Sequence, residues 1–197
     1  MRTMSVFVLL VAVLSLTGCA SKPDQEIAAA QQALEAARTA EADLYSAEAY
    51  QAASDVLKAA EAEIAVQDQK SSFSRNYDKA KELLAQAKTQ ADTAASTAGA
   101  NKEQVKTEAQ TAQTEAQAAL DAAKEALAKA PKGKGTKADL DALQGDLTAA
   151  EASFNEAKTS LDNGNFMDAR NQFRAVKEKA DAVAGDIQQA TQKKKVS

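Results

Sequence analysis

The residues able to do chemistry in this chain are few. The sequence holds one cysteine, Cys19, and no histidine. Without histidine the chain lacks the one side chain whose ordinary titration falls between pH 5 and 8. It also has no imidazole to ligate zinc or haem. Carboxylates are plentiful, but pairs such as Glu61 and Glu63, or Asp139 and Asp141, stand two residues apart. Residues at that spacing do not share a helix face, so they read as solvated charges. Gly133 and Gly135 follow Pro131 and lead into no Gly-Lys-Ser or Gly-Lys-Thr sequence, so no phosphate-cradling loop is expected. No catalytic residue, metal ligand or cofactor is expected. One reactive group remains, the thiol of Cys19, which has no partner for an internal disulfide.

Cys19 closes a distinctive segment. Arg2 is the only charge before residues 6–16, an apolar run of eleven residues. That length suits the apolar region of a secretory signal and falls short of a spanning helix, which needs about 20 residues. The run ends in Leu16-Thr17-Gly18-Cys19. These four residues resemble the lipobox of bacterial lipoproteins: an apolar residue, two small ones, then cysteine. The resemblance implies that a signal peptidase cuts before Cys19, that its sulfur takes a diacylglycerol, and that the new amine is acylated, commonly with palmitate. Residue 20 is alanine and not the aspartate that retains such proteins at the inner membrane. In a source with two membranes this implies an outer-membrane protein, lipid-anchored and facing the periplasm. The alternative is an uncleaved anchor that happens to end in cysteine.

The elements after Cys19 are set by composition. Alanine supplies about a quarter of the chain, tryptophan is absent, and the net charge is −4 with both signs interspersed. Ala, Gln, Glu, Lys and Leu favour helices. Alanine buries little area per residue, so thin seams between close helices are expected in place of a thick core. No basic stripe carries aromatics, which argues against nucleic-acid binding.

Apolar residues at three-four spacing place the helices. Ser21-Lys22-Pro23-Asp24 reads as a helix start with a capping serine. Ile27, Ala30, Leu34 and Ala37 line the first helix, which is expected to break near residues 43–46. Tyr50, Ala53, Leu57, Ala60 and Ile64 line the second, and residues 67–74 suit a turn. The third starts near Asn76 and carries an alanine seam, Ala80 to Ala98 and Ala109 to Ala130. An inserted step of four between Ala98 and Ala109 is a stutter, which unwinds a supercoil locally. Gly99 sits there, so a break or a weak point is expected. Unbroken, this helix would run roughly 80 Å.

Pro131 and the two glycines after it end that helix. Thr136 and Asp139 resemble a capping box. Leu140, Leu143, Leu147, Ala150, Phe154, Ala157 and Leu161 line a fourth helix. After a turn at residues 162–165, Phe166, Ala169, Phe173, Val176, Ala180, Val183, Ile187 and Ala190 line a fifth. A short turn makes the last two antiparallel neighbours. The fold class expected is all-α: elongated antiparallel helical hairpins, or an alanine-rich coiled-coil bundle. Its divisions are a signal peptide at 1–18, a first hairpin region at 19–98 and a helix extension at 99–130. A Pro/Gly loop at 131–136, a second hairpin at 137–192 and a basic tail at 193–197 complete it.

Two segments match in register. Asn76-Tyr77, Ala80-Lys81, Leu84, Ala87-Lys88 and Ala91-Asp92 align with Asn165-Phe166, Ala169-Arg170, Phe173, Val176-Lys177 and Ala180-Asp181. Upstream, Leu57 and Ala59-Ala60-Glu61-Ala62 align with Leu147 and Ala149-Ala150-Glu151-Ala152. The repeat is a helix, a turn and a helix opened by an aromatic, Tyr77 or Phe166, expected to plug the turn end of its hairpin. The first copy, with Tyr45 and Tyr50, resembles alanine-rich bacterial lipoproteins classed as domain of unknown function 4398. That likeness covers residues 24–98. It departs from the family pattern at Ala47, near a place where the family commonly has proline. It implies helical hairpins on a lipid anchor and brings no catalytic residues.

These features lead to one expectation: a non-enzymatic, lipid-anchored envelope protein with a structural or scaffolding role in the periplasm. Its expected partners are the membrane and envelope proteins or peptidoglycan. Two alternatives stay open. Lys193, Lys194 and Lys195 are candidate polymer contacts and resemble the C-terminal lysine by which the murein lipoprotein joins peptidoglycan, although Val196 and Ser197 follow here. The aromatics Phe154, Phe166 and Phe173 could instead line a binding site for a hydrophobic molecule. Lys132, Lys134 and Lys137 form a second basic spot, read as a soluble loop. The seam between Ala98 and Ala130 has no evident partner within the chain, which raises self-association through it.

Overall fold

The structure, a computed structural model, describes residues 21–131 and 137–196, with side chains as far as residue 191. Its described residues form six α-helices and one 3-10 turn, with no strand. The helices are α1 (Asp24–Thr39), α2 (Ala42–Tyr45), α3 (Ala47–Asp68), α4 (Asp78–Lys129), α5 (Lys137–Asp162) and α6 (Phe166–Val196). The 3-10 turn, Ser72–Ser74, lies between α3 and α4. The chain is all-α, as its periodicity predicts.

Two details differ from the spacing. The N-cap of α1 is Pro23 and not Ser21, with no side-chain cap bond. The Pro23 carbonyl takes the Ile27 amide at 2.9 Å, and Asp24 and Glu26 in the first turn suit the helix dipole. The break after α1 also comes earlier than residues 43–46. Glu41 adopts a left-handed backbone (φ 58°), which ends α1. A second interruption, at Ser46 between α2 and α3, falls within the expected 43–46.

The chain divides into two compact units. The first takes residues 21–43 and 47–95. Here Ala30 of α1, Leu57, Ala60 and Ile64 of α3, and Tyr77, Ala80, Leu84 and Ala87 form one buried cluster. Ile27, Leu34, Val56 and Leu83 pack at its edge. Lys79 meets Glu63 at 3.2 Å and the Asn76 amide donates to Gln67 Oε1 at 3.1 Å, so α3 and the start of α4 run antiparallel.

The second unit takes residues 44–46 and those from 96 onward. The alanine seam predicted to lack a partner is covered here. Ala109, Ala112, Ala116, Ala119, Leu120 and Ala123 are buried with Leu140, Leu147, Ala150, Phe154 and Ala157 of α5 and with Ala169, Phe173, Val176, Ala180, Val183 and Ile187 of α6. The stretch 99–130 is therefore the third helix of this unit and not a free extension. Alanine on one face lets axes approach closely, while the larger side chains, Phe154, Phe173, Leu120, Leu147 and Ile187 among them, bury more area each. Lys124 pairs with Glu151 at 2.8 Å, and Arg170 with Glu108 at 2.7 Å, linking α4 to α5 and to α6.

Helix α4 continues through Gly99 without a break. No residue from 99 to 108 is fully buried. The stutter thus marks where the seam lapses and is taken up again at Ala109.

The repeat aligns burial as well as residue type. Ala80 and Ala169, Leu84 and Phe173, Ala87 and Val176, Ala91 and Ala180 are buried in both copies, as are Leu57 and Leu147, Ala60 and Ala150. Lys88 bridges Asp92, and Lys177 bridges Asp181, each at 2.6 Å. The two turns differ. Between α5 and α6 the Asn165 amide reaches Ser160 O and the Gly164 amide reaches Leu161 O, with Gly164 left-handed (φ 80°). This is a Schellman closure, which needs glycine at that place. Between α3 and α4 a longer loop intervenes.

Candidate functional site

The residues 16–19 that carry the lipobox resemblance (Leu16, Thr17, Gly18, Cys19) lie outside the described residues. Among the described residues the α3–α4 turn of the first unit gathers a polar cluster. Asp68 is its hub. The Tyr77 hydroxyl donates to Asp68 Oδ1 at 2.5 Å, and Lys22, just ahead of α1, donates to Oδ2 at 3.0 Å. Arg75 donates to the carbonyls of Lys70 and Asp68, at 3.0 and 3.1 Å. Gln67 is a buried polar residue. It gives its amide to Glu63 and accepts from the backbone of Asn76, so both ends are satisfied. Asn76 caps α4, with Oδ1 2.7 Å from the Asp78 amide.

This geometry sets the charge states. The Tyr77 hydrogen bond, then Lys22, holds the Asp68 carboxyl below its ordinary range. The same bond, with burial, raises the Tyr77 phenol. Asp68 raises Lys22. Gln67 and Lys79 lower Glu63. Tyr77, 3% exposed, thus plugs its hairpin with the ring and pins it with the hydroxyl.

Its counterpart Phe166 behaves differently. It is half-buried, and its ring lies 6.0 Å from the Lys102 ammonium and 5.8 Å from that of Lys106. Phenylalanine has no hydroxyl to pin, and Lys158 stands where the alignment would place a partner like Asp68. Lys102 also lies 5.9 Å from the Tyr45 ring. Asn101 donates to the Tyr45 carbonyl at 2.7 Å, a group that the interruption at Ser46 leaves outside the helix ladder. Nearby, Arg170 and Gln104 lower the Glu108 carboxyl. The stutter segment of α4 is therefore a polar and cation–aromatic contact zone within the second unit. Spacing alone did not reveal it, because Asn101, Lys102 and Lys106 carry no apolar period.

Phe154 and Phe173 pack against each other, with centroids 5.2 Å apart and planes at 60°. They fill the seam, and Phe166 is not part of that buried cluster. A surface groove of about 460 Å³ touches Phe154, but its walls are Gln113, Thr114, Gln117, Ala118, Asp121 and Lys158. Lys193, Lys194 and Lys195 continue α6 in the backbone, and their side chains lie outside the described residues. Lys132 and Lys134 also lie outside them.

Among the described residues no group of three or more His, Cys, Asp or Glu could hold a metal ion. No described helix is long and apolar enough to cross a membrane. Comparison with family models, curated proteins and solved structures returned no match for this chain.

Proposed function

We propose that the protein is a non-catalytic lipoprotein of the bacterial cell envelope, held through Cys19 in the outer membrane and presenting helical surfaces to partners in the periplasm. The observation that carries this reading is the Leu16-Thr17-Gly18-Cys19 sequence, with the only cysteine placed directly after an eleven-residue apolar run. The likeness to alanine-rich lipoproteins belongs to the same reading. The fold is compatible with a scaffold: each unit buries an apolar cluster of its own, and charged residues cover the outer helix faces. One acyl chain gives marginal anchoring and two or three give stable anchoring, since each buried methylene adds about 0.8 kcal/mol. The action is geometric: a fixed end and binding faces on helices, one of them the 52-residue α4.

The test is recovery of partners from crosslinked envelopes with the intact chain, with a Cys19→Ala chain, and with one lacking residues 193–197. The scaffold reading expects the same proteins with the intact and truncated chains and their loss with Cys19→Ala. Peptidoglycan fragments recovered only with the intact chain would replace scaffolding by tethering to the cell-wall polymer through the terminal lysines. Equal recovery with Cys19→Ala would contradict the anchor.

A further inference from the structure

Phe73 is 88% exposed, the most exposed large apolar side chain among the described residues. It does not hang on a loose loop. The Ser74 amide bonds Ser71 O at 2.8 Å, the Ser71 and Ser74 hydroxyls meet at 3.2 Å, and Arg75 donates to Lys70 O within the loop and to Asp68 O at the end of α3. The loop is built so that Phe73 points away from the protein. Tyr77 already fills the hairpin end, so Phe73 has no packing task there.

The surroundings name an occupant. Residues 69–77 hold Lys70 and Arg75 and no acid, between Asp68, whose carboxylate is taken by Tyr77 and Lys22, and Asp78 at the start of α4. An aromatic among serines, flanked by cations, is the composition of a headgroup-level membrane contact. The position agrees. Lys22 is bonded to Asp68 at the base of this loop. Cys19 is three residues before Lys22, so at most roughly 10 Å of extended chain separates them. The matching turn of the second hairpin, 162–165, has neither an aromatic nor a cation.

We propose that the Ser72–Ser74 turn contacts the lipid bilayer, with Phe73 entering the headgroup–acyl boundary and Lys70 and Arg75 beside anionic headgroups. The proposal rests on the lipid-anchor reading for its geometry, and its test is separable from that reading.

The chain has no tryptophan, so Phe73→Trp supplies a single indole that can be excited apart from the three tyrosines. The chain from Cys19 onward, which contains every described element, is coupled through Cys19 to a maleimide lipid in phosphatidylcholine vesicles, with and without phosphatidylglycerol. The expected result is a blue shift of Phe73→Trp emission on coupling, quenching by brominated acyl chains, and a larger effect with phosphatidylglycerol. Gln51→Trp, an exposed site on α3 of the same unit and about 25 Å along the helix from the turn, should show neither change. An unshifted, unquenched Phe73→Trp overturns the proposal whatever the state of Cys19 in cells. So does a shift without bromolipid quenching that grows with surface density, which would mark contact between copies, or equal quenching at Gln51→Trp. The anchor reading is judged separately, by the mass of the natural Cys19.

Discussion

The Tyr77 hydroxyl donates to Asp68 across the α3–α4 turn at 2.5 Å, joining the last residue of α3 to the residue that precedes α4. Lys22 bonds the other oxygen of the same carboxylate, so three segments of the first unit meet at one side chain. Tyr77→Phe keeps the ring and loses the bond. Its expected effect is a modest fall in the urea midpoint of helix loss, with helix content unchanged. Tyr77→Ala also empties the hairpin end and should lower the midpoint considerably more. Equal effects of the two would show that the hydroxyl is irrelevant.

The same cluster sets a pH profile with two arms. Asp68 and Glu63 have lowered carboxyl values, so their contribution is present above the ordinary value (3.8 for Asp, 4.5 for Glu) and is lost as pH falls through the folded ones. Tyr77 and Lys22 are raised from 10.0 and 10.5, so their contribution is full below those values and is lost as pH rises through the folded ones. Stability should be flat through neutral pH and fall on both sides. Asp68→Asn should shrink both arms, read as urea midpoint against pH. An unchanged profile would contradict the hub role.

In the second unit, position decides the cost of losing a ring. Phe173 is fully buried against Phe154. Phe173→Ala should destabilise by about 3 kcal/mol or more, through lost transfer energy and a cavity. Phe166 is half-buried against Lys102 and Lys106, and Phe166→Ala should cost about 1 kcal/mol. Chemical unfolding followed by circular dichroism would rank them, and the reverse order would show that Phe166 is the true plug.

At Gly99, α4 is continuous and an added Cβ would meet nothing within 4 Å. Gly99→Ala should therefore stabilise by about 1 kcal/mol, the difference in helix propensity. A destabilising effect would mean that the glycine serves a contact or a bend.

The seams were legible in the sequence because their information is periodic. Leu57, Ala60 and Ile64, or Phe173, Val176 and Ala180, declare a buried face by spacing alone. Periodicity does not name the partner: nothing in Ala109, Ala112 and Ala116 says that α5 and α6 will cover them. The polar ties were illegible for a related reason. Lys22 with Asp68, Asn101 with Tyr45, and Glu108 with Arg170 are single pairs far apart in sequence, and each residue alone reads as a solvated charge or amide. The interruption at Ser46 falls within the expected 43–46, but the one at Glu41 was not foreseen, since a left-handed glutamate leaves no glycine or asparagine signal. The Phe73 loop was read only as a turn, because exposure of one aromatic shows only when the fold has placed Tyr77 inside.

The central claim is that Cys19 becomes a lipid-bearing N-terminus. The most direct measurement is the intact mass of the protein extracted from the membranes of its native cells, with fragmentation of the N-terminal peptide. The account predicts loss of residues 1–18 and a first residue, Cys19, carrying a diacylglycerol and an amide-linked acyl chain. A chain that retains residues 1–18, or one that begins at another residue with an unmodified thiol, would contradict it.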